Sequence, residues 1–248
     1  MFSPPVVLAS LSGRSDADWA LAAESFAGGA FLGGIAIDEA TREAARELIA
    51  RDRSEFLPQD PLAFLEGELQ SLQAASIRAG VNVRSGTIDP IREAAKRCRT
   101  YDAILEINAH CRQQELVDAG TGHALLRDTP RLVEYVAAAA ETGATVSVKV
   151  RAGVDGVDLP RTSRRIEDAG ADVIHVDAMD SEPVVSEVVG ATDAYVIANN
   201  EVRDRESVHE YLSYGADAVS VGRPSDDPTV LRRVQGATRE WFHDGSNG

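Results

Sequence analysis

Residues 145–177, TVSVKVRAGVDGVDLPRTSRRIEDAGADVIHVD, decide how this chain folds. Two short runs rich in β-branched residues, 145–151 and 172–177, flank a stretch with helical spacing, 159–169, that Gly170 stops. Both runs are apolar almost throughout, the pattern of parallel strands covered on both faces. Working outward, further strand-type runs fall at 6–9, 31–37, 81–84, 103–108, 195–199 and 218–222. Helical patterns separate them at 16–26, 39–51, 61–78, 89–97, 129–142, 183–189, 205–214 and 229–242, with an insertion at 54–59. Pro130 at a first helical position and Gly143 just past the end of that helix follow the usual asymmetry of helix termini. Eight strand–helix units in 248 residues predict a (β/α)₈ TIM barrel, an α/β fold spanning 1–248 as a single domain. An open doubly wound sheet is the alternative, and the absence of GxGxxG after the first strand argues against it.

Composition narrows the setting. Asp and Glu number 40 against 25 Lys and Arg, giving a net charge of −15, and only Lys96 and Lys149 are lysines. An acidic, lysine-poor surface leads us to expect the cytoplasm of a halophile, with an ordinary acidic enzyme as the alternative. Non-specific nucleic-acid binding is disfavoured by that charge. No apolar run reaches the roughly 18 residues of a membrane span. The N-terminal MFSPPVVLASLSG lacks the basic flank of a signal peptide. Two cysteines, Cys98 and Cys111, form neither a disulfide framework nor a metal-binding pattern, so no metal is expected.

In such a barrel the active site is built at the C-terminal ends of the strands. The polar residues there are Ser10 and Ser12, Asn82 and Arg84, Asn108, His110 and Cys111, Lys149 and Arg151, His175 and Asp177, Asn199 to Glu201, and Gly222 and Arg223. Lys149 alternates with Val148 and Val150 and so faces into the barrel. There it is either a ligand for cofactor or substrate, a Schiff-base lysine, or the partner of Glu106 in a structural ion pair. His175 sits one strand on and level with it, as a ligand or as a satisfied core histidine. GADAVSVGR, residues 215–223, matches the phosphate site that barrels build after their last strands, with a plain turn as the other reading. Cys111 can be a nucleophile, a proton donor beside His110, or a buried thiol.

These residues carry a resemblance. EINAHCRQQELVDAGTGHALLRD, residues 106–128, is similar to the tRNA-dihydrouridine synthase signature, an Asn-x-Gly-Cys-Pro stretch followed by Gly-x-Gly-x-x-Leu-Leu. VSVKVRAG (146–153) resembles that family's lysine strand, IHVD (174–177) its histidine strand, and IANNEVRDRES (197–207) its Asn-Gly-Asp-Ile segment. GADAVSVGRP resembles its phosphate-binding end and LASLSGRSDADW, residues 8–19, more loosely its N-terminal flavin loop. The departures are His110 and Arg112 around the cysteine, Asn200 for glycine, and Val176-Asp177 after the histidine. With the last helix close to the chain end, a barrel-only archaeal-type relative without the C-terminal RNA-binding helical domain is expected.

The resemblance implies FMN, with NADPH or NADH as electron donor. It implies a cofactor site of Ser10, Asn82, Lys149, His175, Asn199, Asn200, Gly222 and Arg223, with Lys149 and His175 at the isoalloxazine. Asn108 and Arg151 would bind substrate, and Cys111 would protonate the uracil ring of a tRNA uridine as hydride reaches its other carbon. Reduction of a free pyrimidine, as in the wider class of flavin barrels that includes dihydroorotate dehydrogenase, and a flavin-free binding barrel are the alternatives.

Overall fold

The computed structural model describes residues 1–244, in which eight parallel strands close into a barrel. The strands are β1 (Val6–Leu8), β2 (Gly29–Ala36), β3 (Arg78–Arg84), β4 (Ile104–Asn108), β5 (Thr145–Arg151), β6 (Val173–Asp177), β7 (Tyr195–Asn199) and β8 (Ala218–Val221). Each pairs with the next, and β1 closes on β8 through Val6–Val219 and Leu8–Val221. The outer helices are α1 (Ala17–Ala22), α2 (Glu39–Ile49), α3 (Pro61–Ser71), α4 (Ile88–Thr100), α5 (Gln114–Asp118), α6 (His123–Arg127), α7 (Thr129–Ala140), α8 (Leu159–Asp168), α9 (Val184–Ala191), α10 (Arg205–Ser213) and α11 (Pro228–Asp244). None of them is long and apolar enough to cross a membrane.

The alternation along each strand sorts side chains into two cores. Outward residues such as Leu105, Val148, Val150, Ile174 and Val219 join the helices in one large buried cluster. Inward residues at the N-terminal end form a smaller apolar plug of Phe2, Val7, Phe31, Ile104, Val173, Ile197 and Ala218. Gly80 makes room for it: a Cβ there would lie 2.4 Å from the Phe31 ring. Two residues further along each strand the interior becomes polar, with Asn82, Glu106, Ser147, His175 and Ser220 all buried. The barrel is therefore filled by apolar contact below and by hydrogen bonds above.

The expected helix over 61–78 is shorter. It ends at Ser71, and β3 begins at Arg78 rather than at residue 81. The cause is β2, which starts at Gly29 and offers its backbone to Arg78, Ala79 and Gly80. The loop after β4 holds two short helices, α5 and α6.

Two loops repeat one device. After α8 and α10, Gly170 and Gly215 turn the chain at φ 107° and 91°, and an aspartate follows two residues later. Asp172 accepts the first free N–H of the preceding strand, Val146, at 2.8 Å, and Asp217 accepts that of Val196 at 2.8 Å. Replacing either aspartate by alanine strands a strand-end donor. Asp172→Ala and Asp217→Ala are each expected to lower the unfolding free energy by about 1–3 kcal/mol, measured by urea titration.

Candidate active site at the barrel mouth

Glu106 is the charge at the centre of the interior, 0% exposed. Its Oε1 accepts from Asn82 Nδ2 (2.8 Å), and its Oε2 from Ser147 Oγ (3.1 Å) and lies 2.7 Å from His175 Nδ1. Burial alone would raise this carboxyl. The His175 contact, the Lys149 charge and the Asn82 amide outweigh it and hold it at about 2. Burial and Lys149 depress His175 to about 4, so its ring is neutral at pH 7. A neutral ring has one donor. Nδ1–H therefore donates to Glu106, and Nε2 accepts from Ser220 Oγ at 2.8 Å. Both nitrogens of His175 thus have protein partners, and the ring lies below the mouth.

The network climbs to the thiol. Asn108 Nδ2 donates to Asn82 Oδ1 (2.9 Å), and Asn108 Oδ1 accepts the backbone N–H of Cys111 (3.2 Å). The returning loop closes over the same point. Gly122 N donates to Asn108 O (3.2 Å) and His123 N to Cys111 O (2.9 Å). Gly122 sits at φ 59°, and a Cβ on it would lie 2.2 Å from the Cys111 carbonyl oxygen, so only glycine lets the loop come this close. Asn82 and Asn108, expected to face cofactor and substrate, here join Glu106 to the cysteine loop.

Charged side chains surround Cys111, which is 6% exposed. Arg84, at the end of β3, is buried in an ion pair with Glu55 at 2.6 Å and also bonds Ser12 Oγ. On another side His110 Nε2 is 3.9 Å from Cys111 Sγ. His110 Nδ1 is 3.5 Å from Asp177 Oδ2, an ion-pair separation longer than a formed hydrogen bond, and Arg151 Nη1 reaches the same oxygen at 3.2 Å. Burial opposes a thiolate at Cys111, but Arg84 and then His110 prevail and bring the thiol down to about 6. Burial likewise opposes an imidazolium, yet the Cys111 and Asp177 charges raise His110 above its ordinary value. Cys98 is the contrast: buried in α4 without a cation, it is pushed up to about 12.

Lys149 faces inward as its alternation with valines requires and pairs in register with His175. It is 2% exposed and makes no side-chain hydrogen bond or ion pair among the described residues. The ion pair with Glu106 is not formed; His175 takes that carboxylate instead. A buried ammonium in this state calls for an electron-rich ligand.

The other predicted residues end β7, β8 and β1. Asn199 Nδ2 donates to Ser220 O (3.0 Å), and half-buried Ser10 lies just past β1. Asn200 stands at φ 121°, a glycine-like conformation, and its amide donates to Met179 O at 2.7 Å rather than projecting into the mouth. Gly222 has open space where a Cβ would be, and exposed Arg223 makes no ion pair among the described residues.

The family model described as dihydrouridine synthase matches residues 71–244 of the chain. This chain belongs to the dihydrouridine synthase family. An uncharacterized protein of Methanocaldococcus jannaschii is 27% identical over 230 residues, covering 88% of each chain. Solved structures similar in fold include the tryptophan synthase complex of Pyrococcus furiosus (TM-score 0.58, 13% identity, 98% of this chain and 100% of that one). FabK of Thermotoga maritima is another (TM-score 0.58, 16% identity, 89% of this chain and 62% of that one). At these identities the likeness is one of fold. Within the dihydrouridine synthase framework, sequence reasoning missed Glu55 and left Arg84 and Asp177 without roles. The inward period of β3 and β6, which puts Arg84 with Asn82 and Asp177 with His175, was the available signal.

Glu106→Gln should cost roughly 3–5 kcal/mol at neutral pH, because it removes the countercharge from beside Lys149 and can turn a donor toward His175. The folded carboxyl titrates at about 2, below its ordinary 4.5. Its contribution is therefore whole above that ordinary value and is lost as pH falls toward about 2. The gap between wild type and variant in urea-unfolding free energy should narrow across that interval.

Proposed function

We propose that the protein is an FMN-dependent reductase that saturates the C5=C6 bond of uridine in tRNA, with Cys111 delivering the proton. The observation that carries this reading is one barrel mouth holding both a buried, unpartnered ammonium, Lys149, and a thiol tuned by Arg84 and His110. The residues fit the cofactor. Lys149 offers a donor to the electron-rich edge of a flavin, and Gly222 with Arg223 offers open backbone and a free guanidinium to its phosphate. Bound FMN supplies hydride, replenished from NADPH or NADH. Asn108 positions the cysteine loop, and Arg151 is placed to meet the substrate at the rim.

The rim favours a polyanionic substrate over a free pyrimidine. His123 is pushed down to about 4 by burial and by the charges of Arg151, Arg127, His110 and Arg112, a local cationic patch on a chain of charge −15. Exposed Arg112 and Arg127 can take the phosphodiesters flanking a target uridine.

The purified protein should carry oxidised-flavin absorbance that is released as FMN on denaturation. Lys149→Met should lose it. Cys111→Ala should retain flavin and slow uridine reduction by about 10²–10⁴-fold in single-turnover assays. tRNA nucleosides from a deletion strain should lack dihydrouridine by mass spectrometry. A colourless protein that takes up no added FMN would overturn the assignment.

A further inference from the structure

Resting on that reading, we propose that His110, braced by Asp177, stores the proton that recharges Cys111 after each transfer to the substrate carbon. The geometry is a line of three side chains. His110 presents Nε2 to Cys111 Sγ at 3.9 Å and Nδ1 to Asp177 Oδ2 at 3.5 Å, while Arg151 holds that carboxylate from the far side at 3.2 Å. The ring has the thiol at one nitrogen and a carboxylate at the other, the arrangement that stabilises an imidazolium. Exposure supports the direction of flow: the His110 side chain is 20% exposed, whereas Cys111 is 6% exposed. A sealed thiol that gives up a proton every turnover needs a route back to solvent, and the imidazole is that route.

The charges facing the pair come from every element around it. Arg84 approaches from β3 with Glu55 behind it, Lys149 and Arg151 from β5, Asp177 from β6, and His123 from α6. Arg84 favours the thiolate, and Asp177 favours the proton on His110. Once Cys111 has given up its proton, these charges stabilise the pair as thiolate and imidazolium, so the proton donor has a neighbour that can hand a proton over.

The steps balance. Bound FMN would supply the hydride, and with it both electrons, to one ring carbon. The Cys111 S–H bond breaks as a C–H bond forms on the other carbon. The His110 Nε2–H bond then breaks as S–H re-forms, and water returns a proton to Nε2. Neither Cys111 nor His110 changes oxidation state.

The test is reciprocal titration of the purified protein. Thiolate absorbance at about 240 nm, with the Cys111→Ser signal subtracted, follows Cys111. Wild type should show a midpoint near 6. His110→Gln should raise it by roughly 1–3 units. Imidazole proton resonances should show the His110 midpoint falling in Cys111→Ser, which is near-isosteric and tests the coupling even if His110→Gln fails to fold. Linkage requires the two shifts to match. A midpoint that stays put when the partner is removed overturns the relay. These titrations need neither substrate nor turnover, so a relay that fails here is distinct from a reductase that lacks flavin or dihydrouridine product.

Discussion

A carboxylate inside a closed barrel is the constraint from which the upper half of this molecule follows. Glu106 has no access to water, so its oxygens must be met by protein donors. Asn82 comes from β3, Ser147 from β5 and His175 from β6. His175 then needs Ser220 on β8, and Asn82 needs Asn108, which closes the circuit back on β4. Five strands are tied through one anion. The apolar plug below sets the barrel's width, and the polar layer above fixes which side chains stand at each height. Lys149 completes that layer electrostatically without a bond of its own.

Above Glu106 the same logic recurs with the signs exchanged. Buried Arg84 takes Glu55 as its counterion, and Asp177 is bracketed by Arg151 and His110. Cys111 lies between these two paired assemblies and feels the cationic end of each. Its acidity is set first by the charges of Arg84 and His110, groups anchored by their own partners, and then by hydrogen bonds. Cys98 shows what the same side chain becomes when burial acts alone.

Much of this was legible in the sequence. Eight apolar runs at helix-separated spacing imply the barrel, and strict alternation places Lys149 inside it. The expected level pairing of Lys149 with His175 is present in the register. Partnership was harder to read. Lys149 was the partner expected for Glu106 if that carboxylate formed an ion pair, and the sequence alone does not show that the ring at 175 reaches it first. Asp177 and His110 come from strands that are not adjacent, and Glu55 lies in the 54–59 insertion that Phe56 bridges onto β2 at Ile35. Such contacts depend on strand stagger and loop path, which periodicity does not encode. The early end of α3 has the same origin, since a strand partner outbid a weak helical pattern.

The close approach of Gly122 to the Cys111 carbonyl separates two properties that usually travel together. Main-chain hydrogen bonds, the Asn108 side chain and one glycine place the thiol, while the side chains of His110 and Arg112 take no part in that placement. Side chains at 110 and 112 can therefore differ, as His and Arg do here, while those bonds still hold the sulfur. A lineage can in this way retune the acidity of the centre and the charge of its rim while inheriting the position unchanged. The loop is a fixed socket with interchangeable fittings, and the histidine here is one such fitting.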